Sequence, residues 1–239
     1  MLFRSASVTG DIRITAAAVE NGYTAYDAIM ANSNYTYNSD NSIFFPDYVG
    51  NGDVASIDEL QIEFELQPQK SDSGNACLIG AKDTGGSGNT NGLEIMFSGS
   101  SVFVYAHGVN GWNDTNISVS VGQKYVIKYA TNGISPSTFS VDATNKSLAW
   151  SNSYANVSPL GLSFCGLPSK GGEAWAKNSR VKIGYVKIWD KNGTLLNHFV
   201  PAKRNSDSRV GMYDENTDEF ITAGSANGRY ALSSWTVVS

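Results

Sequence analysis

Tyr185-Val-Lys-Ile-Trp-Asp-Lys-Asn-Gly-Thr-Leu-Leu-Asn-His-Phe-Val-Pro201 reads as strand, tight turn, strand, and the chain continues in the same rhythm to Phe220. Val186 and Ile188 alternate with Tyr185, Lys187 and Trp189, as a strand with one buried face requires. Asn192-Gly193 supplies the positive φ angles of a two-residue type I′ hairpin turn. Leu196, His198 and Val200 alternate back, and Pro201, which has no N–H to donate, is expected to stop the ladder. Val210-Gly-Met-Tyr213 and Glu219-Phe-Ile-Thr222 then flank the turn Asp214-Glu-Asn-Thr-Asp218. The pattern is that of an antiparallel β protein closing its last sheet edge.

Composition agrees. A chain of 239 residues can form one large all-β domain. Its 24 glycines, 12 tyrosines and 5 tryptophans, with only 16% charged residues, suit many short strands joined by Gly/Asn/Ser turns. The 41% hydrophobic content suffices for a large core. A net charge of −5 argues against nucleic acid and anionic membranes as partners, because phosphate binding needs a basic face. No apolar run approaches the roughly 20 residues of a bilayer span, so membrane insertion is not expected.

The closing stretch also resembles a known terminal signature. Lys187-Ile-Trp-Asp190, a short turn, His198-Phe-Val-Pro-Ala-Lys-Arg-Asn-Ser-Asp207, Val210-Gly-Met-Tyr-Asp214 and Ala223-Gly224 are similar to the end of concanavalin A-like (laminin-G-like) jelly-roll domains. Such domains occur in gut-bacterial surface proteins and in phage fibres. Tyr26-Asp-Ala-Ile29 matches the opening strand, Leu60-Gln-Ile-Glu-Phe-Glu65 the first long core strand and Leu78-Ile-Gly-Ala81 the next. Gly122-Gln-Lys-Tyr125 matches a mid-domain hairpin entry and Leu162-Ser-Phe-Cys165 a late core strand. The resemblance covers roughly residues 23 to 235. It implies an all-β, concanavalin A-like jelly-roll sandwich of two antiparallel sheets, with Leu60, Ile62, Phe64, Leu78, Phe164, Val186 and Ile188 in one core. It also implies an extracellular setting, on a bacterial cell surface or a phage virion, within a larger multidomain or oligomeric assembly.

The division expected is an N-terminal strand and linker over 1–22, then the jelly roll over 23–239. Ile12, Ile14 and Ala16 alternate within Ser7 to Ala16. That strand reads either as the remnant of a preceding immunoglobulin-like domain or as an extra edge strand of the sandwich. Met1-Leu-Phe-Arg-Ser5 lacks the apolar core of a signal peptide, so export is specified elsewhere in a longer product or a phage assembles the protein in the cytosol.

Chemistry is sparse in the motifs. Glu59, Gln61 and Glu63 occupy the positions of the Glu-x-Asp-x-Glu strand found in laminarinase-like hydrolases of this fold, but Gln61 replaces the aspartate. A retaining glycosidase needs two carboxyls about 5–5.5 Å apart, one of them an acid. The plainer reading is a solvated polar face opposite Leu60, Ile62, Phe64 and Leu66. No Gly-x-Ser-x-Gly, phosphate loop or dinucleotide fingerprint occurs, and Thr84-Gly-Gly-Ser-Gly-Asn89 reads as a hairpin loop. Cys77 and Cys165 form either two buried thiols or one disulfide, and with only His107 and His198 no zinc pattern exists. His198, alternating within its strand, reads as structural. The sequons at Asn34, Asn113, Asn116 and Asn192 are incidental in an Asn/Ser-rich chain. No cofactor is implied, though calcium is possible at Asp214, Asn216 and Asp218, because Ca²⁺ seeks six to eight oxygens.

Aromatic residues beside turns point to sugar binding. Tyr105, His107, Trp112, Asn113 and Asp114 fall in one Gly/Asn-rich stretch, and Trp175 lies in a second. Large aromatics in surface loops are poorly explained by core packing. The function expected is therefore non-catalytic recognition of a cell-surface glycan. The rivals are a structural or decoration domain and a laminarinase-like glycoside hydrolase.

Overall fold

A computed structural model describes residues 22–31, 43–45, 61–69, 75–82, 92–98, 101–106, 113–130, 137–148, 162–164, 181–190, 192–222 and 230–235. These carry β1 (Tyr23–Ala25), β2 (Ala28–Ala31), β3 (Ile43–Phe45), β4 (Gln61–Pro68), β5 (Asn75–Lys82) and β6 (Gly92–Ser98). Next come β7 (Ser101–Ala106), β8 (Asn113–Ser118), β9 (Tyr125–Ala130), β10 (Ser137–Val141), β11 (Thr144–Leu148) and β12 (Leu162–Phe164). The last are β13 (Val181–Trp189), β14 (Leu195–Arg204), β15 (Val210–Asp214), β16 (Glu219–Thr222) and β17 (Tyr230–Ser233). Among the described residues there is no helix, hence none long and apolar enough to cross a membrane. The expected N-terminal strand and linker lie outside the described residues.

All pairings are antiparallel. One sheet runs β11-β10-β9-β4-β13-β14-β15-β16, with β1 on β14, and β2 joining β13 to β17. The other runs β3-β12-β5-β6-β7-β8. The chain passes from the large sheet at β4 to the small one for β5–β8, back for β9–β11, across for β12 and back again for β13–β16. This alternation, with β4 held between β9 and β13, is the crossing pattern of a concanavalin A-like jelly roll. The sheets face each other where β13 meets β5, β11 meets β8 and β16 meets β3.

The core is built by strand alternation. Ile62, Phe64 and Leu66 of β4 are buried with Ile127 and Tyr129 of β9 and Val186 and Ile188 of β13; Leu78, Ile79, Ile95 and Val102 meet them from the small sheet. Each such side chain contributes on the order of 1.5–3 kcal/mol by leaving water. Of the core expected from sequence, Ile62, Phe64, Leu78, Val186 and Ile188 are buried. Leu60 and the Phe164 side chain lie outside the description.

Three local expectations need correction. The opening strand is broken: Tyr26-Asp27 separates β1 from β2, because β1 pairs with β14 while β2 pairs with β13 and β17. Pro201 does not end its strand, since β14 runs through it to Arg204, with Pro201 opposite Met212. In an extended residue the nitrogen and carbonyl point to the same side. The Pro201 carbonyl accepts from Tyr26 N–H at 2.7 Å, so its nitrogen faces the β1–β2 break, where no ladder donor is needed. The Asn192-Gly193 hairpin is longer than two residues: Trp189 pairs with Leu195 across a bulge. Gly193 N–H donates to the Asp190 carbonyl at 3.1 Å with Gly193 at φ +82°, the geometry of a turn followed by a left-handed bulge glycine. The Asp190 carboxylate stabilises this turn by accepting from Asn192 N–H and Thr194 N–H, both at 2.8 Å. These bonds hold the Asp190 pKa below its ordinary value, although the group is exposed.

Candidate functional site

The residues singled out in the loops are only partly placed. Tyr105 falls in β7 and Asn113 and Asp114 in β8, in the register Phe103↔Asp114 and Val104↔Asn113. The two strands are therefore neighbours, and these three residues share one end of their pairing. His107, Trp112 and Trp175 lie outside the described residues, as do Glu59 and Cys165, the residue on which either reading of the Cys77–Cys165 pair depends.

At the Asp214–Asp218 turn the oxygens serve protein donors. The Asp214 side chain is fully buried. Its Oδ1 accepts from His198 N–H at 2.8 Å and Asn216 N–H at 2.9 Å; its Oδ2 accepts from Asn197 Nδ2 at 2.6 Å and Thr217 Oγ1 at 2.8 Å. Asn216 Nδ2 donates to the Leu196 carbonyl at 2.7 Å, and Asp218 Oδ1 accepts from Tyr213 Oη at 2.9 Å. The alternating acid–amide spacing is thus used to tie a turn to β14. Among the described residues, no three His, Cys, Asp or Glu side chains cluster as a metal site requires. His198 also has a structural partner, its Nδ1 lying 2.9 Å from Glu215 Oε2.

A groove of about 450 Å³ lies on the outer face of the large sheet, opposite the core. Its polar lining is Gln61 and Glu63 of β4, Lys128 of β9, Thr138 and Ser140 of β10 and Asn145 of β11; Trp189 and Gly193 close one side. Register explains the convergence. Glu63 stands opposite Lys128, which stands opposite Ser140, which stands opposite Asn145. One row along, Gln61 lies between Ala130 and Trp189. Residues directly across a sheet share a face, so one alternation in each of five strands assembles the surface.

Glu63 is the electrostatic centre of this groove. Its Oε1 accepts from Tyr185 Oη at 2.7 Å, and its Oε2 lies 2.8 Å from Lys128 Nζ. Partial burial by itself would raise its pKa. The hydrogen bonds from Lys128 and Tyr185 and the charges of Lys128 and Lys187 outweigh that and hold it below the ordinary glutamate value. The Lys187 ammonium rests over the Tyr185 ring, 4.9 Å from its centroid. The result is an ionised, acceptor-only carboxylate fixed between two cations.

Two other parts of the outer face are covered. Trp235 lies on Gly184, where a Cβ would come within 2.6 Å of its ring and 2.7 Å of Glu65 Oε2. Lys182 Nζ donates to the Ser234 carbonyl at 2.5 Å, and Lys124 pairs with Glu65 at 2.9 Å while lying 5.5 Å from the Trp235 ring centroid. At the far edge Tyr23 stacks on Tyr213 at 4.6 Å and meets Phe220 at 5.0 Å, over Val200, Ala202 and Ala25.

Sequence reading had placed Gln61 and Glu63 on a solvated strand face, but had not joined Lys128, Thr138, Ser140, Asn145 or Trp189 to them. Those residues are spread over more than a hundred positions. The one local signal was a tryptophan, Trp189, at the polar-face position of a strand beside a turn.

No family profile matches the chain, and no curated protein matches it significantly. Similar solved structures include mouse laminin α1 chain domains LG4-5, at 11% identity and TM-score 0.48, covering 73% of this chain and 43% of that one. Trypanosoma rangeli sialidase in complex with 2,3-difluorosialic acid aligns at 16% identity and TM-score 0.45, covering 73% and 28%. Caenorhabditis elegans galectin LEC-6 aligns at 11% identity and TM-score 0.38, covering 66% and 96%. The chain thus spans less than half of the laminin pair and of the sialidase.

Proposed function

We propose that this chain is a non-catalytic glycan-recognition module of a bacterial surface protein or phage fibre, and that the outer-face groove holds the sugar. The observation that carries the reading is Trp189 standing in a groove with Gln61, Asn145, Thr138 and Ser140. An indole stacks on the apolar face of a pyranose, while amides and hydroxyls bond its hydroxyls in both directions. A groove of this size takes two or three sugar rings. Polar ligands must first shed water, so single-site affinity is expected to be weak, on the order of micromolar to millimolar, and raised by repetition on a fibre or surface.

Glu63 does not fit the general-acid role of a hydrolase. A general acid works with a raised pKa, whereas Glu63 is lowered and ion-paired with Lys128. Gln61 beside it brings no second charge. Calcium is not needed for this reading, because every polar group invoked is a protein side chain.

A glycan array probed with the whole chain tests the proposal. Saturable binding without release of reducing ends, removed by Trp189→Ala, is the expected result. Binding that survives Trp189→Ala and disappears with Trp112→Ala would move the site to the Tyr105–Asp114 stretch. Absence of any binding would favour the structural-domain reading.

A further inference from the structure

Resting on the reading of the groove as a glycan site, we infer that Glu63 is a specificity-determining residue that selects uncharged glycans by cancelling the charge of Lys128. Among the described lining residues only these two are charged, and they face each other at 2.8 Å. The remaining polar lining, Gln61, Thr138, Ser140 and Asn145, is neutral. Without Glu63 the Lys128 ammonium, whose side chain is 60% exposed, would draw carboxylates and sulfates into the groove. With it, the cation is already occupied.

Glu63 also has capacity left for a ligand. Tyr185 Oη and Lys128 Nζ take one acceptor position on each oxygen. A carboxylate offers about four in all, so each oxygen has capacity for one further donor such as a sugar O–H. An ionised acceptor favours hydroxyl donors and repels a uronate, sialate or sulfate brought to the same place. Other cations of the face are engaged as well: Lys124 with Glu65, and Lys187 over Tyr185. The net charge of −5 acts in the same direction on a polyanion at longer range.

The test compares the whole chain with Glu63→Gln, an isosteric change that keeps an acceptor for Tyr185 and leaves Lys128 unpaired. The probes are neutral oligosaccharides (cello-, xylo-, manno- and arabino-series) and acidic ones (oligogalacturonate, sialyllactose, chondroitin sulfate fragments), titrated by calorimetry. The unaltered chain is expected to bind a neutral probe, changing less than about twofold between about 50 and about 500 mM salt. Glu63→Gln is expected to shift the acidic-to-neutral affinity ratio about fourfold toward acidic probes, the size of one unit charge about 5 Å away in water. Lys128→Met should shift that ratio the opposite way and keeps the test alive should Glu63→Gln fold poorly. Preference of the unaltered chain for acidic probes with strong salt dependence overturns the inference while leaving the groove a glycan site. An unchanged ratio in both variants does the same. Neutral binding that ignores Trp189→Ala instead overturns the groove reading beneath it.

Discussion

Among the described residues, two ends of one sheet face differ in whether another segment lies on them. At the covered end Trp235 packs on Gly184 and the Lys182 ammonium holds the Ser234 carbonyl. At the open end Trp189, Gln61 and Glu63 line a groove. Both ends alternate polar and aromatic residues, and both contain a glutamate paired to a lysine, Glu65–Lys124 and Glu63–Lys128. Residue type on a strand therefore does not decide between packing and recognition. The decision is made by a glycine such as Gly184, which lets a distant indole settle on the sheet, whereas among the described residues no segment lies over Gln61.

The comparison is broken most severely through Asp214, the carboxylate with the most complete set of partners. Asp214→Ala strands four donors at a buried site, with an expected loss of about 3–5 kcal/mol. For a chain of this size that is a fall in melting temperature of roughly 6–20 °C. Glu63→Gln, at the open end, is expected to cost less than about 1 kcal/mol, because solvent replaces part of what is lost. Comparable losses in thermal scans of the two variants would contradict the division into a fully buried and a partly buried carboxylate.

A methyl group measures the cover itself. Gly184→Ala places a Cβ inside the contact distance of Trp235 and Glu65. Overpacking of this kind typically costs about 1–3 kcal/mol. Gln61→Ala, on the open end of the same face, is expected to stay within about 0.5 kcal/mol of the unaltered chain. Equal melting temperatures for the two would mean that Trp235 does not rest on Gly184. Gly211 obeys the same logic at the other edge, where a Cβ would collide with the Ile221 carbonyl; this explains the glycine between Val210 and Met212.

Much of the fold was legible because it is written within single strands. Ile62-Glu-Phe-Glu-Leu66 and Val186-Lys-Ile188 alternate so regularly that their faces could be assigned from parity alone, and both assignments hold. Pro201 was misread because a proline's tolerance depends on what lies beside it. Its neighbour is a strand break at Tyr26-Asp27, more than 170 positions away, which no local pattern reveals. The groove failed to appear for the same reason. Gln61, Lys128, Ser140, Asn145 and Trp189 meet only through the order β11-β10-β9-β4-β13. Aromatic and polar residues in glycine-rich stretches give a local signal, and of the six such residues singled out only Tyr105, Asn113 and Asp114 fall on described strands.

The open end is sharpened by removing its indole. Trp189→Ala should weaken glycan binding about five- to tenfold, since stacking on an aromatic is worth roughly 1–1.5 kcal/mol. The melting temperature should move by only a few degrees, because the side chain belongs to the outer face and not to the core. Trp112→Ala, measured in parallel, separates the groove from the loop expected from sequence. Loss of binding in the second variant alone would place the sugar at the loop.

The smallest effect expected is the pH response of Glu63, and its sign tells whether this carboxyl can serve as a general acid. The charged or titratable groups near its carboxylate are Lys128 on β9, Tyr185 and Lys187 on β13, and Glu65 two residues along β4, itself paired with Lys124. Burial raises the Glu63 pKa, but the lysines and the tyrosine hydroxyl win, leaving it below 4.5. A depressed carboxylate adds stability that is fully present above the unfolded-state value and is lost as pH falls through the folded one. The stability difference between the unaltered chain and Glu63→Gln should therefore be flat above about pH 5 and shrink only below it. Carboxyl-carbon NMR should give Glu63 a midpoint under 4.5. A midpoint above that value would mean that burial outweighs Lys128, leaving a protonated carboxyl at mildly acidic pH. That group could serve as a general acid, and the hydrolase reading would regain its ground.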